Sequence, residues 1–163
     1  MAANLPKKGT GSGTQAEISI DDGSTYKKLL SNTKVSPPSF TRNTVKLTDN
    51  DSFNNNHQME EYAVGFIEGG DLKIDGWYRG DNTGMDDAEK AFFDKGIVKI
   101  KIVSPPWMGK TIVYPGLITE LQPVGDMDPE NGVNYSITTK VTGKPTTETT
   151  VVGSVDQASS GTI

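Results

Sequence analysis

Apolar residues recur along this chain mostly at every second position, the period of a strand with one buried face. In "AEISIDDGSTYKKL", Ile18 and Ile20 alternate with polar residues, Asp22-Gly23 is a turn signal, and Tyr26 to Leu29 resume the extended run, so the segment predicts a hairpin. In "DLKIDGWY", Leu72, Ile74, Gly76 and Tyr78 share one face and Asp71, Lys73, Asp75 and Trp77 the other, after a turn at Gly69-Gly70. "IVKIKIVS" sets Val98, Ile100 and Ile102 inward and Lys99 and Lys101 outward. "TIVYPGLITELQ" predicts a strand bent or bulged at Pro115-Gly116. The cleanest alternation comes last. Val133, Tyr135, Ile137, Thr139 and Val141 point to a core, and Asn134, Ser136, Thr138 and Lys140 point away from it.

One segment switches to the helical period. "DNTGMDDAEKAFFDKG" predicts a helix over about 84–95, with Thr83 as N-cap, Asp86 and Asp87 in the positive first turn, Lys95 in the last turn and Gly96 at C′. Met85, Ala88 and Phe92 form its apolar face, widened by Ala91 and Phe93. So short a helix needs a sheet to cover.

The remaining stretches lack period. Residues 1–15 read as a Gly-rich flexible arm. Pro37-Pro38 bar a central strand. Residues 41–61 form the longest polar stretch, beginning as a short strand at Thr44–Leu47 and continuing as a long loop. Residues 146–163 read as a disordered, Thr/Ser-rich tail. The expected architecture is one mainly β domain over 16–145. It is a β-sandwich or partly open barrel of about six to eight strands with one flanking short α-helix.

Composition narrows the chemistry. The chain has 163 residues, 33% hydrophobic and 23% charged, with 18 Gly and 9 Pro. That suits one modest core with many turns. It contains no cysteine, which excludes disulfides, zinc-thiolate sites and thiol nucleophiles. The first residues lack the apolar core of a signal peptide, and no window approaches a membrane span, so a soluble cytosolic product is expected. The formal net charge is −5, which gives no basic footprint for tight nucleic-acid binding.

No catalytic constellation emerges. His57, the sole histidine, lies in the polar run "NNNHQ". Gly109-Lys110-Thr111 ends like a phosphate loop, but Ser104, Pro105 and Pro106 stand where the cradle needs glycine and free amides. Asp126, Asp128 and Glu130 alternate as in a calcium loop, yet Gly132 comes one place late and Ile137 replaces the bidentate acid. Asp81, Asp86 and Asp87 are explained by helix capping. They would also serve a small hydrolase, the weaker alternative. Trp77, Tyr78 and Trp107 offer a platform for a monomeric module that binds a sugar or a protein.

The ordered segments resemble major tail tube proteins of long-tailed, non-contractile (siphovirus-type) bacteriophages. "PKKGTGSGTQAEIS" is similar to the family's Gly/Thr-rich start. "GDLKIDGWYRGDNTGMDDAEKAFFDKG" resembles its strand, linker and helix, and "KIKIVSPP" the strand that follows. "YPGLITELQP" and "NYSITTKVTGKPT" resemble its exit and closing strands. Together these cover roughly residues 6–146.

The resemblance implies no enzymatic activity and no cofactor. It implies a structural virion protein, assembled in the host cytoplasm, whose hexameric rings stack into a tube. The sheet would continue between subunits as a ring-shaped β-barrel, and phage DNA would pass through without specific binding. Implied partners are further copies, the tape-measure protein, and tail terminator and tail-tip proteins. By position, the loop holding Asp49, Asp51, Phe53, Asn54, Asn55, Asn56 and His57 would reach the adjacent ring. Some relatives carry a C-terminal immunoglobulin-like domain, and this chain stops at Ile163 without one. The polar faces with Asp71, Lys73, Asp75, Asn134, Ser136, Thr138 and Lys140 are the expected lumen lining. A net-negative wall there would let a polyanion slide.

Overall fold

A computed structural model describes residues 8–49, 59–94 and 96–149. The elements, in chain order, are β1 (Gln15–Ser19), β2 (Lys27–Lys28), β3 (Asn32–Ser36), β4 (Phe40–Lys46), β5 (Tyr62–Gly69), β6 (Asp71–Trp77), α1 (Thr83–Phe93), β7 (Val98–Val103), β8 (Lys110–Gln122), β9 (Asn134–Val141) and β10 (Thr146–Thr149). The fold is mainly β. An eight-stranded antiparallel sheet runs β2-β1-β7-β8-β9-β6-β3, with β10 paired to β8. β4 and β5 form a separate two-stranded ribbon.

β8 is the hinge of the architecture. Its first half pairs with β7 up to Gly116, and its second half pairs with β9 from Gly116 onward. The sheet therefore folds into two layers about that residue. A side chain at Gly116 would meet the Lys140 carbonyl oxygen at 2.6 Å, so only glycine lets β9 approach where β8 changes partners. The register shift lies just beyond, between Ile118 and Glu120, rather than at Pro115-Gly116.

Between the layers, Ile18, Leu72, Ile74, Val98, Ile100 and Ile137 are fully buried, as the alternation predicts. Tyr78 departs from it, lying beyond β6 and exposed. α1 covers one end of the core with Met85, Ala88 and Ala91, packing on β1, β2 and β8. Lys101 extends over the Tyr26 ring, 5.0 Å from its centroid, and Lys99 pairs with Asp22 at 3.1 Å.

Several local expectations are corrected. The N-cap of α1 is Asn82, not Thr83, and no side-chain bond caps the helix. The buried Asn82 amide oxygen instead accepts from the Leu30 amide at 3.3 Å, tying the helix start to the β2–β3 turn. The C-cap is Asp94. Gly96 therefore lies beyond C′, and its amide closes the helix end on the Ala91 carbonyl at 3.1 Å. Lys95 is outside the described residues. The second arm of the first hairpin shortens to Lys27–Lys28, and Leu29 turns inward, its amide bonding the Ala16 carbonyl at 2.8 Å.

The largest correction concerns 41–61. The short strand expected at Thr44–Leu47 begins earlier and is longer. Phe40–Lys46 is a full strand paired with Tyr62–Gly69, and the ribbon carries on through Leu47 to Glu61 (2.8 Å). The long arms are also tied down in part. Trp107 Nε1 donates to the Thr10 carbonyl at 2.8 Å, and Thr146–Thr149, expected to be disordered, pair with Lys110–Val113.

Candidate functional site

The register of the β8–β9–β6–β3 layer turns the expected lumen residues into rows. Gln122, Ser136, Asp75 and Lys34 stand opposite one another across four strands. Glu120, Thr138, Lys73 and Ser36 form the next row, and Leu117, Lys140 and Asp71 a third. Asn134 faces Trp77 at the end of the layer. Directly opposed residues share a face, so all seven expected residues lie on one surface.

Two features of that surface differ from expectation. Thr138 is 8% exposed, because a short side chain sits between the longer Lys73 and Glu120. The rows are also charge-balanced, not net negative. Asp71, Asp75 and Glu120 alternate with Lys34, Lys73 and Lys140.

Both edges of this layer are open. Among the described residues, no strand pairs with the outer side of β3 or with the side of β8 facing away from β9 after Gly116. Unpaired backbone groups on two opposite edges are a template for further strands.

The ribbon projects from the same layer. Its apolar residues point into water: Phe66 is 90% exposed, and Val45, Tyr62, Val64 and Ile67 are each more than half exposed. Gly65 makes the bulge possible, since a Cβ there would lie 2.7 Å from the Asn43 carbonyl oxygen. Toward its far end, Glu60 accepts from Lys46 at 2.5 Å and from the Tyr62 hydroxyl. The Lys46 bond first, and the Tyr62 bond second, hold the Glu60 carboxyl below the usual range. Of the expected ring-stacking residues, Asp49 is exposed at the ribbon's end. Asp51, Phe53, Asn54, Asn55, Asn56 and His57 lie outside the described residues.

The other candidates disperse. Asp81 is paired to Arg79 through two bonds of 3.0 and 2.8 Å, and Asp87 to Lys27 at 3.1 Å. No group of three or more metal-ligating side chains converges among the described residues. Trp77 lies against Gly132, whereas Trp107 packs over Gly9, so the two indoles are committed to different neighbours. No helix among the described residues is long and apolar enough to cross a membrane.

Sequence reasoning missed β5 and hence the ribbon. "YAVGFIEG" carries the signal, a β-rich apolar run ahead of a Gly pair.

Against known proteins, the sequence matches no family model and no curated protein. The fold does match. A chain from the tail of an empty gene transfer agent particle, refined with C6 symmetry, superposes with TM-score 0.65 at 14% identity, covering 85% of this chain and 98% of that one. A chain from the six-fold symmetrised anti-feeding prophage baseplate gives 0.68 at 8% identity, covering 91% and 100%. A chain from the sheath/tube terminator of an extracellular contractile injection system gives 0.60 at 12%, covering 90% and 99%. This chain shares their fold.

Proposed function

We propose that this protein is the structural subunit of a tail tube of siphovirus type. It would be a component of the virion that assembles into stacked hexameric rings and forms the conduit for DNA delivery. The observation that carries the reading is the four-stranded layer with an open edge on either side. Joining β3 of one subunit to the second half of β8 in the next would satisfy both edges and continue the sheet around a ring. The fold likeness to tail and baseplate chains, over 85% and 91% of this chain, supports it.

The charge-balanced rows then line the lumen. Each ammonium stands beside a carboxylate, so the wall offers a passing polyanion no net positive field. Among the described residues, none covers the exposed apolar side chains of the ribbon, which would cover a neighbouring subunit, as exposed patches of this kind do. Its end, with Asp49 and the residues up to His57, would reach the adjacent ring. In such a tube the further partners are a tape-measure protein, a terminator and the tail-tip proteins. Light scattering and negative-stain electron microscopy of the purified protein test the reading. Six-membered rings or hollow tubes are expected, and a strict monomer at high concentration would sink it.

A further inference from the structure

Where the ribbon leaves the sheet, a groove of about 870 Å³ opens between it and the β9–β10 connection. Its apolar walls are Phe40 and Ile67 on one side and Val141 and Pro145 on the other. Arg42, Lys140 and Lys144 border it, against the single carboxylate of Glu68. Glu68 lies 3.6 Å from Lys140. Among the described residues, no carboxylate pairs with Arg42 or Lys144. On a chain of net charge −5, this is a local concentration of positive charge around an apolar cleft.

The opposite end of β9 carries the complement. The β8–β9 loop, residues 123–133, holds Asp126, Asp128 and Glu130 and no basic residue. Met127 stands among them, 80% exposed. The loop is already shaped. Asp128 accepts from the Glu130 amide at 2.9 Å and from the Asn131 side-chain amide at 3.2 Å. Gly125 bonds the Asn134 carbonyl at 2.6 Å, in a position where a Cβ would come within 2.1 Å of the Asn134 side-chain oxygen. A turn already held by its own hydrogen bonds loses less entropy on docking than a free one. The eight residues of β9, at about 3.3 Å each, set groove and loop roughly 25 Å apart at opposite ends of that strand.

We propose that the acidic loop of one copy docks in the basic groove of the next. Met127 enters the apolar cleft while Asp126 and Glu130 meet Arg42 and Lys144. Two different, complementary patches at opposite ends of one strand make a heterologous contact. Such a contact repeats along an axis and extends as a filament. Charge complementarity fixes the polarity of stacking and rejects groove-to-groove or loop-to-loop encounters. Methionine suits an irregular apolar cleft because its side chain adapts. The inference rests on the tube reading and adds a second axial contact to the one proposed for the ribbon's end.

The test uses four full-length chains: the unchanged protein, a groove variant (Arg42→Glu with Lys144→Glu), a loop variant (Asp126→Lys with Glu130→Lys), and all four substitutions in one chain. Asp128 is left alone because it holds the turn. Each is checked for an unchanged melting temperature, then examined by electron microscopy and sedimentation. The expected result is tubes from the unchanged chain, loss of tubes from each charge-reversed variant, and recovery in the combined chain. Tubes from the groove variant, or no recovery in the combined chain, overturn the docking inference and leave the tube reading standing. Absence of rings and tubes from the unchanged chain overturns the tube reading itself, and the docking inference with it.

Discussion

Tyr135 crosses directly over Gly76. The two are register partners in the β6–β9 pair, and a Cβ on Gly76 would lie 2.6 Å from the Tyr135 hydroxyl and 2.6 Å from the Ser31 carbonyl oxygen. The absent side chain lets the phenol reach the Leu30 carbonyl, which accepts its hydroxyl at 2.9 Å. One glycine thereby seats the largest fully buried side chain and locks the β2–β3 turn to the closing strand. Gly76→Ala forces apart backbone as well as side chain, and destabilises by roughly 1–3 kcal/mol, the usual range for overpacking. A urea midpoint equal to that of the unchanged protein would contradict this contact.

The same phenol sets an alkaline limit. Burial first, and the Asp75 carboxylate second, push Tyr135 up to about 12. An unfolded tyrosine titrates near 10. The native state therefore favours the neutral phenol. That stabilisation is complete below about pH 10 and is lost as pH rises from 10 through 12, by up to roughly 3 kcal/mol. Tyr135→Phe removes most of this dependence, and loses about 1 kcal/mol at neutral pH with the Leu30 bond. Tyr114, raised by burial alone, leaves a smaller dependence of the same sign. Thermal melts across pH 8–12 for both chains check it, and parallel curves would refute the assignment.

Thr139 is fully buried, and its hydroxyl has no hydrogen-bond partner among the described residues. It stands opposite Leu72 on one side and Ile118 on the other, an apolar setting for a polar atom. Thr139→Val keeps the shape and removes the unsatisfied group, for a gain of about 1 kcal/mol. The expected reading is a melting temperature raised by roughly 3 °C. A lowered one would mean the hydroxyl has a role that its surroundings do not reveal.

Phe66 contributes nothing to the core, since it stands almost wholly in water. Phe66→Ser with Val64→Ser should leave the melting temperature of the unassembled subunit within about 1 °C, because exposed positions rarely shift stability. Assembly should weaken sharply, since the proposed tube uses the ribbon's apolar surface as a contact with a neighbour. Normal rings and tubes from this double variant would remove the ribbon from the interface.

The core strands were legible because their faces differ in chemistry. Val98, Ile100 and Ile102 against Lys99 and Lys101 admit one reading, and the buried set follows it. The ribbon was illegible for the opposite reason. Its apolar and polar residues are nearly all exposed, so no burial imposes a two-residue period on Phe40–Lys46. Only pairing with Tyr62–Gly69 defines it, and that pairing spans a long separation. The helix type was readable from Met85, Ala88 and Ala91. Its cap was not, because Asn82 serves the distant Leu30 rather than its own helix. The full width of the rows was hidden for a similar reason: Glu120 and Lys34 join the surface only through register, while the balance of Asp71 and Asp75 against Lys73 and Lys140 was already legible.

Sheet continuation between subunits is the central claim, and cross-linking tests it most directly. The chain has no cysteine, so Lys34→Cys on β3 and Gln122→Cys on β8 introduce the only two thiols. Within one subunit β9 and β6 separate these edges by three strand spacings, roughly 14 Å, too far for a disulfide or a very short maleimide linker. The account predicts a ladder of cross-linked species in the double variant that ends at six subunits, and no ladder from either single variant. Cross-linking that stops at dimers, or none in assembled material, would contradict it.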